Sequence, residues 1–200
     1  MNVATPKVIV IDDDASVRRS LARLLKTEGH NVECFVSAET YLMEVEPSGE
    51  VACLVLDINM PGLNGLDFQQ VQLERGCGDQ IIFITGHGDV PMCARAMKAG
   101  AVDFLPKPFS DAELLEAVDR ALHRARLHNE ARLRFSALTA REMEVFRHLI
   151  AGKLNKQIAA DLGTAEKTVK LQRGSLTAKL GVAAVADLVR LAQQAGVSPI

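Results

Sequence analysis

Four short apolar runs in this chain each end on a residue suited to phosphate chemistry. VIVI (8–11) runs into Asp12, Asp13 and Asp14. VACLVL (51–56) runs into Asp57. IIFI (81–84) runs into Thr85, and AVDFL (101–105) runs through Pro106 into Lys107. The runs are rich in β-branched residues and alternate with helical stretches. That alternation predicts a parallel sheet with helical crossovers. All strands of such a sheet end on one edge, where ligands bind. Three carboxylates (Asp12, Asp13, Asp57), a hydroxyl (Thr85) and an ammonium (Lys107), far apart in sequence, are therefore predicted to meet at one place.

The rest of the composition narrows the setting. No run of about 18 apolar residues occurs, so no transmembrane helix and no membrane partner are expected. The N-terminal MNVATPK leads straight into a strand and lacks a signal-peptide pattern, which makes a cytoplasmic location the expectation. Cys34, Cys53, Cys77 and Cys93 are scattered without a CxxC pair, as reduced thiols would be. The five histidines show no metal-ligand spacing. The formal net charge of −2 hides an asymmetry: residues 1–122 carry 10 basic and 19 acidic side chains, residues 123–200 carry 13 and 6. An acidic half joined to a basic half predicts two domains with different partners. A basic domain attracts phosphate backbones, although a solvated basic surface gives the same count.

The first half reads β-α five times over. Strands are predicted near 7–11, 31–35, 51–57, 80–85 and 101–105, and helices near 15–28, 37–45, 64–74, 90–99 and from 111 onward. Val17, Leu21, Leu24 and Leu25 line one face of the first helix, and Gly29 closes it. Strand three is apolar throughout, as a strand buried on both faces should be. Ser110 and Glu113 form a capping box that opens the last helix of this half. Residues 123–137 read as an interdomain linker, helical in pattern, with Arg124, Arg126, Arg132 and Arg134 against Glu130 alone. The remainder, 138–200, is all α. A capping box at Thr139 and Glu142 opens a helix to about 151. Further helices are predicted at 155–162, 166–180 and 183–195. Two helices around a tight turn at Gly163 and Thr164 match a helix-turn-helix. The expected architecture is thus a doubly wound five-stranded parallel sheet (1–122), the linker, and a four-helix domain.

Adjacent carboxylates at Asp12 and Asp13, with Asp57 from the next strand end, suit a hard divalent cation. Mg²⁺ prefers oxygen ligands and bridges to phosphate. Three crowded carboxylates raise one another's pKa, and a bound cation relieves this and keeps Asp57 ionised. An ionised carboxylate can accept a phosphoryl group as an aspartyl phosphate. Lys107 supplies a point charge for the phosphoryl oxygens and Thr85 a hydroxyl donor. Phosphoryl transfer needs mainly this positioning and neutralisation.

Residues 7–122 resemble the receiver domain of two-component response regulators, a flavodoxin-like fold. The resemblance rests on VIVIDDD (8–14), LVLDINMPGLNG (54–65), FITGHGD (83–89) and AVDFLPKPF (101–109). It implies that Asp57 accepts a phosphoryl group from a sensor histidine kinase. It also implies Mg²⁺ held by Asp12, Asp13, Asp57 and the backbone carbonyl of Asn59. Thr85 and Lys107 would bind phosphoryl oxygens, and Thr85 with Phe104 would form the switch pair. The family often has a cis bond at the position of Lys107–Pro108. Asn59 and His87, two residues after Asp57 and Thr85, are placed to set the lifetime of the phosphate. An aspartyl-phosphate hydrolase would want a second acid where Asn59 stands, so a regulator is expected here, with no enzyme activity of its own.

Residues 138–196 resemble the helix-turn-helix DNA-binding domain of FixJ/NarL (LuxR-type) regulators, through LTAREMEVFRHLIAGKLNKQIAADLG and EKTVKLQRGSLTAKLG. The resemblance implies that helix 166–180 enters the major groove of promoter DNA. Lys167, Lys170 and Leu171 lie on its outer face, opposite Val169, Leu176 and Leu180. Asn155, Lys156 and Thr168 are expected to touch phosphates. Gln172 and Gly174 depart from the family pattern, where histidine and a larger or basic residue are common. Together the two halves imply a phosphorylation-controlled transcription regulator, with a homodimer favoured by phosphorylation because paired recognition helices match two half-sites.

Overall fold

The computed structural model describes residues 6–45, 51–86 and 90–200. His87 lies outside the described residues. The chain divides into two compact units, with the boundary in sequence between Arg126 and Leu127.

The first unit alternates strand and helix: β1 (Val8–Ile11), α1 (Ala15–Thr27), β2 (Val32–Phe35), α2 (Ala38–Glu44), β3 (Cys53–Asp57), α3 (Gly65–Glu74), β4 (Gln80–Thr85), α4 (Val90–Lys98), β5 (Asp103–Pro106) and the first part of α5 (Asp111–Ser136). All strand pairs are parallel, in the order β2-β1-β3-β4-β5. This is the doubly wound sheet expected from the sequence. The chain leaves β1 toward β2 on one side and returns to β3 on the other. The order therefore reverses between β1 and β3, which opens a crevice at their C-terminal ends. Asp12 and Asp57 stand there.

Strand side chains alternate between the two faces of the sheet, and two separate cores result. Val8, Val10, Val55, Ile82 and Ile84 pack with Leu21 and Leu25 of α1 and with Leu114, Ala117, Val118 and Ala121 of α5. Ile9, Ile11, Leu54, Leu56 and Phe83 pack with Tyr41 of α2, Phe68 of α3 and Ala96 of α4. β3 is buried along its whole length, which explains its unbroken apolar run.

The helix signals in the sequence are realised as hydrogen bonds. Asp14 caps α1, its carboxylate accepting from the N–H groups of Ser16 (2.6 Å) and Val17 (3.3 Å). The Ser110 hydroxyl and Glu113 carboxylate cap α5 reciprocally. α5 is one continuous helix of 26 residues that takes in most of the interval 123–137. Its later turns belong to the second unit. Ala131 and Phe135, four residues apart and so on one face, are buried in the helical core. The Phe135 ring meets Phe146 edge to face at 4.8 Å.

The second unit continues with α6 (Ala140–Ile150), α7 (Asn155–Asp161), α8 (Glu166–Leu180) and α9 (Val185–Gln194). Val145, Phe146, Leu149, Ile158, Val169, Leu176, Leu180 and Leu188 form its core. Gly181 ends α8 in the left-handed region (φ 69°), where a side chain would be strained.

Candidate functional site

The strand ends bring the sequence-predicted residues together. Carboxylate oxygens of Asp12, Asp13 and Asp57 all lie within 4.8 Å of one another. Asp12 is fully buried, Asp57 nearly so, and Asp13 is exposed. Lys107 reaches across from the loop after β5. Its Nζ donates to Asp12 Oδ2 (3.0 Å) and to Asp57 Oδ2 (3.1 Å). The other oxygens are also engaged: the N–H of Asp14 donates to Asp12 Oδ1 (2.8 Å) and the N–H of Asn59 to Asp57 Oδ1 (3.2 Å). Burial raises the Asp12 pKa, and the Lys107 hydrogen bond only partly offsets this. Burial by itself would lower the Lys107 pKa. The hydrogen bonds and charges of Asp12 and Asp57 outweigh it, so Lys107 holds its proton more firmly than a free lysine.

Asp14, third in the acidic run, is turned away and spent on the α1 cap. Arg18 also faces inward, its Nη1 donating to the Asp12 backbone carbonyl (2.6 Å). Its neighbour Arg19 is exposed on α1.

The loop after Asp57 is braced from several sides. The N–H of Gly65 donates to the Ile58 carbonyl (3.0 Å), and Glu39 of α2 accepts from the N–H of Leu63 (2.5 Å). A Cβ at Gly65 would stand 2.7 Å from the Asp57 carbonyl oxygen and 2.9 Å from Ile58 Cα, so glycine is required for this close approach. Thr85, fully buried at the end of β4, accepts a hydrogen bond from Asn59 Nδ2 at 3.0 Å. Its carbonyl accepts from the N–H of Lys107 (2.7 Å), which ties the two strand ends together. The Lys107–Pro108 bond is cis. Phe104 pairs with Phe83 in the sheet register and is partly buried in the core of α2, α3 and α4.

The three carboxylates form a compact all-oxygen donor set open to solvent at Asp13. This fits a hard cation such as Mg²⁺, which binds through one or two carboxylates and keeps several waters. Lys107 supplies one positive charge to the cluster, and a divalent ion would balance the rest.

In the helical unit, Val169, Leu176 and Leu180 face the core as the helical pattern of the sequence predicts. Lys167, Lys170 and Leu171 are exposed on the other side of α8, Leu171 at 68%. Lys170 lies 3.5 Å from Glu166, one turn back. Thr168 is half-buried, as is Asn155 at the start of α7, and Lys156 is exposed. Two residues make contacts in this geometry that no local sequence signal shows. Arg173 reaches Asn155 Oδ1 at 3.5 Å. Glu142, legible only as a cap residue, also accepts from Ser175 Oγ and Lys179 Nζ, both at 2.6 Å, and so ties α6 to α8.

Comparison with known proteins accounts for both halves. The family described as the response regulator receiver domain matches residues 8–119, and that of bacterial regulatory proteins of the luxR family matches residues 136–192. The chain belongs to the LuxR-type response regulators. It is 46% identical to nodulation protein W of Bradyrhizobium diazoefficiens, over 96% of this chain and 87% of that protein. It is 40% identical to the transcriptional regulatory protein FixJ of Rhizobium meliloti, over 96% and 97%. Among solved structures it resembles the response regulator StyR (45% identity, TM-score 0.57, 96% and 100% covered). It also resembles full-length FixJ from B. japonicum (36%, 0.56, 97% and 98%). This response regulator therefore pairs a receiver with a LuxR-type DNA-binding domain, a two-component protein of transcription regulation. Among the described residues, no helix is long and apolar enough to cross a membrane.

Proposed function

We propose that Asp57 accepts a phosphoryl group from a sensor histidine kinase, and that this mark controls promoter binding by the helical domain. The observation that carries the proposal is the Lys107 ammonium bridging Asp12 and Asp57 at 3.0 and 3.1 Å. It fixes the Asp57 carboxylate at the sheet edge, where a phosphoryl donor can approach. In the transfer, the P–N bond of a phosphohistidine breaks as a P–O bond forms to a carboxylate oxygen of Asp57. The leaving imidazole then carries the electron pair and takes up a proton. Lys107, released from Asp57, pairs with a phosphoryl oxygen. Mg²⁺, held by Asp12, Asp13, Asp57 and the Asn59 backbone carbonyl, would supply further charge neutralisation at those oxygens. The phosphoryl group adds acceptors that draw in the Thr85 hydroxyl, and Phe104 repacks into the space this leaves.

In the helical domain, α8 is the proposed recognition helix. Lys167, Lys170 and Leu171 would face base edges, while Asn155, Lys156 and Thr168 would contact phosphates and set register. Phosphorylation would favour a homodimer whose two recognition helices reach half-sites about 34 Å apart. The protein would act in the cytoplasm, alongside the kinase's phosphorylated domain.

Incubating the full chain with Mg²⁺ and a small acyl phosphate should add the mass of one phosphoryl group, labile to base and absent after Asp57→Ala. Labelling that persists in Asp57→Ala would refute the site. Phosphorylated protein should shift promoter fragments in a gel with an affinity that falls as salt rises. No binding at low salt would refute the DNA reading.

A further inference from the structure

We propose that the Asn59 side chain is a positioning residue for Thr85. Its amide clasps the Thr85 hydroxyl in the unphosphorylated protein and so sets how readily Thr85 turns toward a group on Asp57. This rests on the reading of Asp57 as phosphoacceptor.

Two contacts of one residue carry the inference. The Asn59 backbone N–H donates to Asp57 Oδ1 (3.2 Å), and its side-chain Nδ2 donates to Thr85 Oγ1 (3.0 Å). Asn59 is thus joined to both the phosphoacceptor and the hydroxyl. Thr85 is fully buried, whereas Asn59 is exposed and closes over the hydroxyl from the solvent side. A hydroxyl offers one donor hydrogen and two acceptor lone pairs. The amide takes one lone pair and helps to fix where the oxygen sits. Because threonine is β-branched, its hydroxyl moves by rotamer jumps and not by drift.

A phosphoryl group on Asp57 offers only acceptors. Both the Asn59 Nδ2–H and the Thr85 O–H are then drawn to the same oxygens. Partners in the unmodified protein become parallel donors to the phosphoryl group. Breaking the clasp is part of the switch, and its strength biases the balance between the two Thr85 positions. A net hydrogen bond of ordinary strength corresponds to a shift of roughly 2- to 10-fold in that balance.

The clasp is testable in the full chain by NMR with labelled threonine methyls and phenylalanine rings. Beryllofluoride with Mg²⁺ marks the activated end point. In untreated Asn59→Ala, the Thr85 methyl and Phe104 ring signals should move toward that end point, with the population ratio changed by roughly 2- to 10-fold. Asn59→Ser, too short to reach Oγ1, should behave alike. In a Thr85→Val background, Asn59→Ala should no longer move the Phe104 signals. Unmoved signals in both untreated Asn59 variants would overturn the proposal. So would an undiminished effect of Asn59→Ala in the Thr85→Val background, because Asn59 would then act elsewhere. If beryllofluoride leaves the wild-type spectrum unchanged, the phosphoacceptor reading fails instead. The variant shifts in untreated protein still report on the clasp in that case.

Discussion

Replacing Glu142 by Gln should loosen α8 in its seat and leave the fold intact. Glu142 is only 6% exposed and accepts from Lys179 Nζ (2.6 Å), Ser175 Oγ (2.6 Å) and the N–H of Thr139 (2.8 Å). The Lys179 ammonium, followed by the Ser175 hydroxyl and the Thr139 amide, lowers its pKa from 4.5 to about 2. A gap of that size corresponds to at most about 3.4 kcal/mol at neutral pH. Lys179 is one-third exposed, so solvent screening brings the expected loss to ~1.5 kcal/mol. Glutamine serves a capping box as well as glutamate does, so the substitution isolates the charge. Hydrogen exchange followed by mass spectrometry should show α6 and α8 amides exchanging about tenfold faster in the variant at neutral pH. The sign of the pH dependence follows from a depressed carboxylate pKa. The stabilisation is present above the unfolded-state value of about 4.5 and is lost as pH falls toward 2. Parent and variant should therefore converge over that window. Equal exchange at neutral pH, or a gap that persists undiminished below about pH 3, would refute the reasoning.

Three further substitutions and one truncation are sharp. Lys107→Met removes the cation that bridges Asp12 and Asp57, so Asp12, already raised by burial, should rise further. Phosphoryl labelling should slow, and should fall more steeply on acidification than in the parent, as a labelling time course across pH would show. Phe135→Ala should cost the helical unit about 3–5 kcal/mol, because it empties a core site beside Phe146. By the same argument, segment 127–200 should melt at a clearly higher temperature than segment 138–200. Gly174→Ala should stabilise α8 by about 1 kcal/mol, read as a raised melting temperature, since a Cβ there meets nothing within 4 Å.

The sheet and its edge were legible because four of the five strands announce themselves twice, in a short apolar run and in the reactive residue that follows it. Asp12, Asp57, Thr85 and Lys107 could be placed together from topology alone. What escaped sequence reasoning is tertiary. Asp14 looks like its two neighbours, but a helix starts at Ala15 and claims its carboxylate. Arg18 falls outside the apolar stripe of α1, yet its length lets it turn back to the Asp12 carbonyl. Glu142 shows its capping box within four residues, whereas Lys179 is 37 residues away. The Asn59–Thr85 bond spans 26 residues and joins the loop after β3 to the end of β4, an approach that only the folded sheet creates. In the interval 123–137 the run of arginines dominates the pattern and masks the two apolar residues that enter the helical core.

The alternation of strand side chains also acts as insulation. Thr85 shares its side of β4 with Phe83, and Phe104 lies opposite Phe83 in β5. That side packs against α2, α3 and α4, while α1 and α5 are packed by the intervening residues. A rotamer change at Thr85 or Phe104 would therefore fall on the side that holds Met92 and Ala96 of α4. The backbone of the sheet stands between it and Leu21 or Leu114. One residue of phase in a strand thus decides which layer of helices lies beside such a change.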